Sequence, residues 1–205
     1  MNDAFFTNED FRVFTIDGLT ARMDALKSTL RPKLEWLGKH CSPTLSTLTG
    51  DEMFYHVAKH ARRTKNPPTD TWVAFSSNNR GYKMLPHFQI GLWESHLFIT
   101  YALIYEARGK VEIGKKLEQR LSEIVQLIPS HFVWSGDHTK REATPMSEIT
   151  EGDLLALFRR LQTVKKAEII CGRHIPRSKA IQMTRDELLE EINNVFIQLI
   201  PLYRL

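Results

Sequence analysis

The chain has few cysteines and no long apolar run. Only two of its 205 residues are cysteines, Cys41 and Cys171, and they lie far apart in apolar stretches. This favours reduced, buried thiols over a disulfide framework or a cysteine-rich metal site. The most apolar run, residues 97–105, is much shorter than the roughly 20 residues that span a bilayer. Together with an N-terminus that lacks the features of a signal peptide, these absences predict a cytoplasmic protein.

The chain also lacks the sequence motifs of several enzyme classes. It contains neither of the glycine-rich phosphate loops, no Gly-x-Ser-x-Gly elbow, no His-Glu-x-x-His and no Cys-x-x-Cys. These absences give no support to a P-loop NTPase, a dinucleotide-dependent enzyme or a common type of zinc enzyme. The sequence predicts no cofactor and no bound metal.

The charge of the chain is mildly basic. Lys and Arg number 28 against 24 Asp and Glu, which gives a formal net charge of +4. Such a balance permits an anionic partner without requiring one, because dedicated nucleic-acid-binding proteins cluster basic residues on one face. The positions of the basic residues therefore matter more than their number.

The spacing of apolar residues predicts an α+β fold. A helical stripe starts at Leu19, with a kink expected near Leu30 before Pro32, and we expect this helix to end at Ser42-Pro43. Further helices are predicted at residues 108–128 and behind the capping signals at Thr150 and Thr184. Strands are predicted at residues 53–61, 71–76, 87–93, 96–105, 132–135 and 166–174. The order predicts one domain, residues 1–205, with a mainly antiparallel sheet of about five to six strands and helices packed on one face.

Several long motifs resemble a known family. They occupy residues 50–54, 56–64, 66–68, 71–75, 80–83, 86–93, 132–135, 137–140 and 164–168. With these motifs, the sequence closely resembles the YktB-like family of bacterial proteins of unknown function over nearly its whole length. The resemblance implies an α+β domain in a Firmicute-type cytoplasm. It implies no activity, so it transfers no catalytic residue.

Basic and aromatic residues are predicted to gather on one sheet face. Alternate residues of a strand share a face, so paired strands would collect histidines, tryptophans and a glutamine. Tryptophan and arginine stack on rings, and cations hold phosphates or carboxylates. The candidate ligand-binding residues are His56, His60, Arg62, Arg63, Trp72, His87, Gln89, Trp93, Asp137, His138, Lys140, Arg173 and His174. A basic strand end is also typical of a solvated sheet edge, and that alternative stays open.

The leading interpretation is a small cytoplasmic binding protein for an anionic partner, either a nucleotide-like molecule or nucleic acid. One alternative is a hydrolase-like enzyme, with or without metal, built on His56, His60, His87 and Asp137. It requires these side chains to converge. Another alternative is a protein–protein adaptor, which an apolar exposed face would favour. No membrane partner is expected.

Overall fold

A computed structural model describes residues 4–205, which form a seven-stranded antiparallel sheet with helices against it. The strands follow the spatial order β1-β2-β3-β4-β7-β5-β6. Their bounds are β1 Phe54–Val57, β2 Asp70–Ser76, β3 His87–Trp93, β4 His96–Leu103, β5 Val133–Ser135, β6 Thr144–Pro145 and β7 Ile169–Pro176. The predicted α+β class is confirmed. The strand count exceeds the prediction because β6, only two residues long, lies inside a segment that reads as a polar loop.

The helices begin where the sequence offers caps. Thr7, Thr150 and Thr184 each form a capping box with an acidic residue three positions later. The helix bounds are α1 Asn8–Arg12, α2 Leu19–Ala25, α3 Arg31–Thr49, α4 Lys110–Gln119, α5 Leu121–Leu127, α6 Glu151–Thr163, α7 Arg177–Ala180 and α8 Arg185–Tyr203. Among the described residues, no helix has both the length and the apolar character needed to cross a membrane.

Strand alternation directs most of the large apolar side chains to one face of the sheet. Phe75 and Phe88 point towards α8, where the Phe196 ring lies 5.9 Å and 5.3 Å from theirs. Further along the sheet, the Trp134 ring of β5 lies 5.7 Å from Phe158 of α6. The helices and this face share one large core. The described residues of the opposite face include a small separate apolar cluster, formed by Ala102, Ile104 and Ile170. The prediction of helices on one face is confirmed.

The helix α3 continues beyond its predicted end at Ser42-Pro43 and reaches Thr49. Cys41 and Leu45 are 1% and 0% exposed, so the helical stripe stays in the core on both sides of Pro43. Burial of this stripe outweighs the lost backbone hydrogen bond of the proline. The irregularity expected near Leu30 is a π-helical turn, Leu26–Leu30, between α2 and α3.

Other predicted boundaries also differ from the structure; the last strand, predicted at residues 166–174, is Ile169–Pro176. The helix predicted at residues 108–128 is two helices, because the backbone at Arg120 leaves the helical conformation. The first strand ends at Val57 instead of residue 61. His60 then takes a positive φ of 49°, so this segment turns away from the sheet ladder.

Candidate functional site

The sheet face without helices holds a pocket. Strand pairing places Trp72 opposite Gly91, Gln89 opposite Thr100, and Phe98 opposite His174. We call the recess above them the central pocket; its sheet side is lined by Trp72, Gln89, Trp93, Phe98, Thr100 and His174. The loop of residues 136–143, between β5 and β6, forms its other wall. The space inside the recess that water molecules can occupy is about 40 Å³.

Gln89 offers the central pocket a hydrogen-bond acceptor of fixed orientation. His87 Nδ1 lies 2.8 Å from the carbonyl oxygen of Leu85, so Nδ1 carries the ring proton and donates it. Burial lowers the pKa of His87 to about 4, which keeps the ring neutral and leaves Nε2 as an acceptor. The amide nitrogen of Gln89, 2.9 Å away, donates to that Nε2. The Gln89 carbonyl oxygen therefore remains for the pocket.

Two more polar groups of the pocket have no strong protein partner. The hydroxyl oxygen of Thr100 is buried and has no hydrogen bond within the described part of the chain. Asp70 is only 9% exposed, and its carboxyl group accepts no hydrogen bond from another side chain among residues 4–205. Burial raises the pKa of Asp70 to about 6, although the charges of Arg63, His138 and Lys83 oppose the shift. Buried polar groups without strong partners in a recess are typical of a ligand site.

His138 is held by a buried carboxylate. Its Nδ1 lies 2.7 Å from Oε2 of Glu168, and its backbone N–H donates to the same oxygen at 3.0 Å. The backbone N–H of Tyr105 donates to the other oxygen at 3.3 Å. Burial raises the pKa of Glu168, but the hydrogen bonds from His138 outweigh it and the net shift is downward. Because Nδ1 is engaged, Nε2 is the nitrogen that His138 offers to the pocket.

A second recess, rich in cations, adjoins the central pocket. We call it the basic groove; its cations are Lys59, Arg62, Arg63 and Lys83. One acid, Glu106, lies among them, 4.0 Å from Lys83. Trp72 and His138 line both recesses, so the two form one continuous surface. The groove exposes the charged side chains of Lys59, Arg62 and Arg63 together with the apolar side chain of Met84, so its surface is mixed in character.

Aromatic contacts fix the wall between the two recesses. The indole N–H of Trp72 donates to the hydroxyl of Tyr82 at 3.0 Å. The His60 ring meets Trp72 edge-on at 5.5 Å, and its Nε2 lies 3.2 Å from the hydroxyl of Thr71. Burial, assisted by the charge of Arg63, lowers the pKa of His60 to about 4. Trp72 is therefore held rigidly beside a neutral imidazole.

The central pocket also borders a pair of stacked histidines. The rings of His96 and His174 are 4.1 Å apart and nearly parallel. Burial lowers the pKa of His96 to about 4 and that of His174 to about 3. Both imidazoles are therefore neutral near pH 7. His174, which lines the pocket, adds surface for a ring rather than charge.

Most of the predicted site residues lie in these two recesses. The central pocket contains Trp72, Gln89, Trp93, Asp137, His138, Lys140 and His174, and the basic groove contains His56, His60, Arg62 and Arg63. His87 is fully buried and reaches the pocket only through Gln89. The prediction that Arg173 belongs to this site is corrected: its side chain points to the helical face and pairs with Glu191 of α8 at 3.1 Å. Neighbouring strand residues face opposite sides, so Arg173 and His174 do not share a site.

The four residues of the hydrolase interpretation do not converge as it requires. His56 binds the carbonyl of Asn78 at 3.0 Å, while His60 and His87 have the partners described above. Asp137 accepts from the backbone and hydroxyl of Thr139, at 2.9 Å and 2.6 Å. No hydrogen bond joins any two of the four within residues 4–205. Each of them is held by other groups.

A different trio, Asp137, His138 and Glu168, places possible metal-ligand atoms within 4.8 Å of one another. The hydrogen bond between His138 and Glu168 and the turn made by Asp137 account for that closeness. The trio can therefore be explained without a metal ion.

Sequence reasoning missed several residues of the site. They are Asp70, Tyr82, Lys83, Thr100 and Glu168. Asp70 follows a Pro-Pro turn, and only its position before Trp72 on the same strand face indicates the pocket. Glu168 has no sequence signal, because its partner His138 is 30 residues away. Their roles depend on tertiary packing.

The fold and the site define an α+β protein whose antiparallel sheet has helices on one face and a polar, aromatic pocket on the other. The chain belongs to the family described as a domain of unknown function (DUF1054), which matches residues 6–203. This agrees with the resemblance drawn from its motifs.

Relatives in Bacillus match all or nearly all of the chain. A UPF0637 protein of Bacillus licheniformis is 56% identical over 205 residues, covering 100% of this chain and 97% of the relative. One from Bacillus velezensis is 54% identical over 205 residues, covering 100% and 98%. One from Bacillus mycoides is 50% identical over 200 residues, covering 98% and 96%. None of these names states an activity, so the function is argued from the central pocket and the basic groove.

Proposed function

We propose that this is a small cytoplasmic protein that binds a nucleotide-like ligand, with a flat ring in the central pocket and an anionic group in the basic groove. The observation that carries the proposal is the continuity of the two recesses. Trp72 and His138 line both, so one small molecule reaches the aromatic floor and the cations together.

The basic groove supplies the anion subsite. Arg62 and Arg63 are exposed, and no ion pair engages either of them within residues 4–205. Their guanidinium groups are free to take a phosphate in two-pronged hydrogen bonds. Hydrogen bonds to charged groups contribute about 1.5–3 kcal/mol each, so the two arginines account for a large part of a micromolar affinity.

The central pocket supplies the ring subsite. Trp72, Trp93 and Phe98 give it aromatic surface, and stacking contributes about 1–3 kcal/mol per base. The carbonyl oxygen of Gln89 accepts a hydrogen bond, so it selects rings with an N–H or amino edge. Binding would also satisfy the orphan hydroxyl of Thr100.

The charge distribution favours a small molecule over a nucleic-acid strand. Beyond Trp93, on the side of the pocket away from the basic groove, Lys140 and Arg141 are offset by Glu94 and Glu142. A polyanion needs cations along its whole path, whereas the excess positive charge here lies at one end. The site suits a ligand with one anionic end.

A thermal-shift and calorimetric screen tests the proposal. The probes are nucleoside monophosphates, the matching nucleosides, inorganic phosphate, sugar phosphates and short oligonucleotides. A ligand at about 100 times its dissociation constant adds roughly 2.7 kcal/mol, or about 5–10 °C in Tm for a chain of this size. We expect the monophosphates to give the largest shift. If only oligonucleotides bind, with a steep salt dependence, the ligand is a polyanion instead.

A double substitution tests the anion subsite. Arg62→Gln with Arg63→Gln should weaken nucleotide binding about 10- to 100-fold and leave nucleoside binding nearly unchanged. The matched control is Arg159→Gln with Arg160→Gln, an exposed pair on α6 away from both recesses. An affinity that the first pair leaves unchanged would overturn the proposed anion subsite.

A further inference from the structure

His138 lies where the two subsites meet. It lines both the central pocket and the basic groove, as does Trp72, but of these two only His138 has a ring nitrogen that can accept a proton. A ligand that spans the recesses must pass its ring-to-phosphate linkage beside this imidazole. The position therefore brings a proton-transferring group to the bond that joins the two parts of the ligand.

Glu168 orients that imidazole. Its carboxylate binds both Nδ1 and the backbone N–H of His138, so the tautomer with Nε2 as proton acceptor is favoured. This arrangement, a buried carboxylate that orients a histidine and stabilises its charged form, is a common design of general bases. Glu168 is 4% exposed in its side chain and does not line either recess, so its role is positioning.

Asp70 provides an acid in the same pocket. It lies at the start of β2, opposite Trp93, and the charges of His138, Arg63 and Lys83 all act on it. Burial holds its proton to higher pH than usual, so at mildly acidic pH it donates one. The imidazole of His138 and a carboxyl group that keeps its proton to higher pH than usual therefore face one cavity, with cations beside them.

We propose that the site formed by the central pocket and the basic groove hydrolyses a phosphoester bond of its ligand, with His138 as the general base and Asp70 as the general acid. This inference rests on the proposed binding function. His138 Nε2 takes a proton from water as the water oxygen bonds to phosphorus. The ester P–O bond breaks, and the leaving oxygen takes the proton of Asp70. The products are phosphate and an alcohol, and a proton passing from His138 to Asp70 restores the site. Arg63 and Lys83 stabilise the charge on the phosphoryl oxygens.

The test measures phosphate or alcohol release from nucleoside monophosphates and from para-nitrophenyl phosphate. We expect turnover by the wild type to fall as pH rises through about 6, because Asp70 then loses its proton. His138→Gln should lower kcat roughly a hundredfold or more and change KM little. The control, His131→Gln, alters an exposed histidine outside both recesses and should leave turnover unchanged.

A comparison of leaving groups separates catalysis from a structural role. Asp70→Asn should slow the nucleoside monophosphates far more than the nitrophenyl ester, because nitrophenolate leaves without a proton. It should also abolish the fall in rate near pH 6. An equal loss for both esters would overturn the role of Asp70. Nucleotide binding without turnover would overturn the hydrolysis alone, whereas no binding by any probe would overturn the proposed function itself.

Discussion

Replacing Asp70 with asparagine should make the protein more stable near neutral pH. Asp70 is 9% exposed, and burial raises its pKa from 3.8 to about 6. Because the folded pKa is above the unfolded one, ionisation of Asp70 destabilises the fold. The cost is fully present above the folded pKa of about 6 and disappears below the unfolded value of 3.8.

The two pKa values set the size of the effect. A difference of about two units corresponds to about 3 kcal/mol near pH 7.5, and to about half of that near pH 5. An asparagine side chain has nearly the same shape as a protonated aspartic acid and carries no charge. Asp70→Asn should therefore raise the free energy of unfolding by up to about 3 kcal/mol at the higher pH and by less at the lower.

Urea denaturation of wild type and variant at several pH values measures this gain. Four buried or half-buried histidines with lowered pKa values also titrate and destabilise the wild type as pH falls below 6.5, but they occur in both proteins and cancel in the difference. These are His60, His87, His96 and His174. The control, Asp17→Asn, changes an exposed carboxylate and should have little effect at any pH. A loss of stability, or a gain independent of pH, would refute the reasoning about Asp70.

Two further substitutions test how residues of β7 are placed in the sheet. Arg173→Gln breaks a half-buried ion pair with Glu191, so we expect urea denaturation to show a loss of about 1 kcal/mol, while calorimetry shows unchanged nucleotide affinity; weaker binding would place Arg173 in the site. Gly172→Ala would press a Cβ into the backbone carbonyl of Ile99 and should cost about 1–3 kcal/mol. Its control, Gly152→Ala in the exposed first turn of α6, should have the opposite sign, and a stable Gly172→Ala protein would contradict the close strand packing.

The sequence was sufficient to predict the face of the sheet on which the central pocket lies. Alternation along β3 separates Phe88, Ile90 and Leu92 from His87 and Gln89, and period-two geometry requires no tertiary information. The capping boxes were equally visible, because a threonine and an acid three residues apart satisfy the first turn locally. Local rules thus predicted most element starts and the open side of the sheet.

Errors arose where packing outweighs a local preference. Pro43 indicated a helix end, yet α3 continues past this proline because burial of Cys41 and Leu45 stabilises the helix on both sides of it. The basic segment after Val57 indicated a longer strand, but a positive φ at His60 turns the chain and lets that ring reach Thr71. Neither outcome can be derived from spacing, because each depends on residues distant in sequence.

The chemistry of the site was even less visible in the sequence. Histidines were chosen for their number and spacing, whereas the structure distinguishes them by their partners. His87 fixes Gln89, and among the contacts of residues 4–205 His138 is the histidine oriented by a carboxylate. Asp70 was missed because its raised pKa comes from burial under a loop that joins strands at the other end of the sheet. Such differences require coordinates.

The indole N–H signals of the tryptophans test the central claim most directly. Two of the four line the central pocket, Trp72 and Trp93, while Trp36 of α3 and Trp134 in the core lie outside both recesses. A nucleoside monophosphate titrated into isotope-labelled protein should shift the first two NMR signals in a saturable way and leave the other two in place. Shifts confined to Trp36 or Trp134, or none at all, would contradict a nucleotide site on the open face of the sheet.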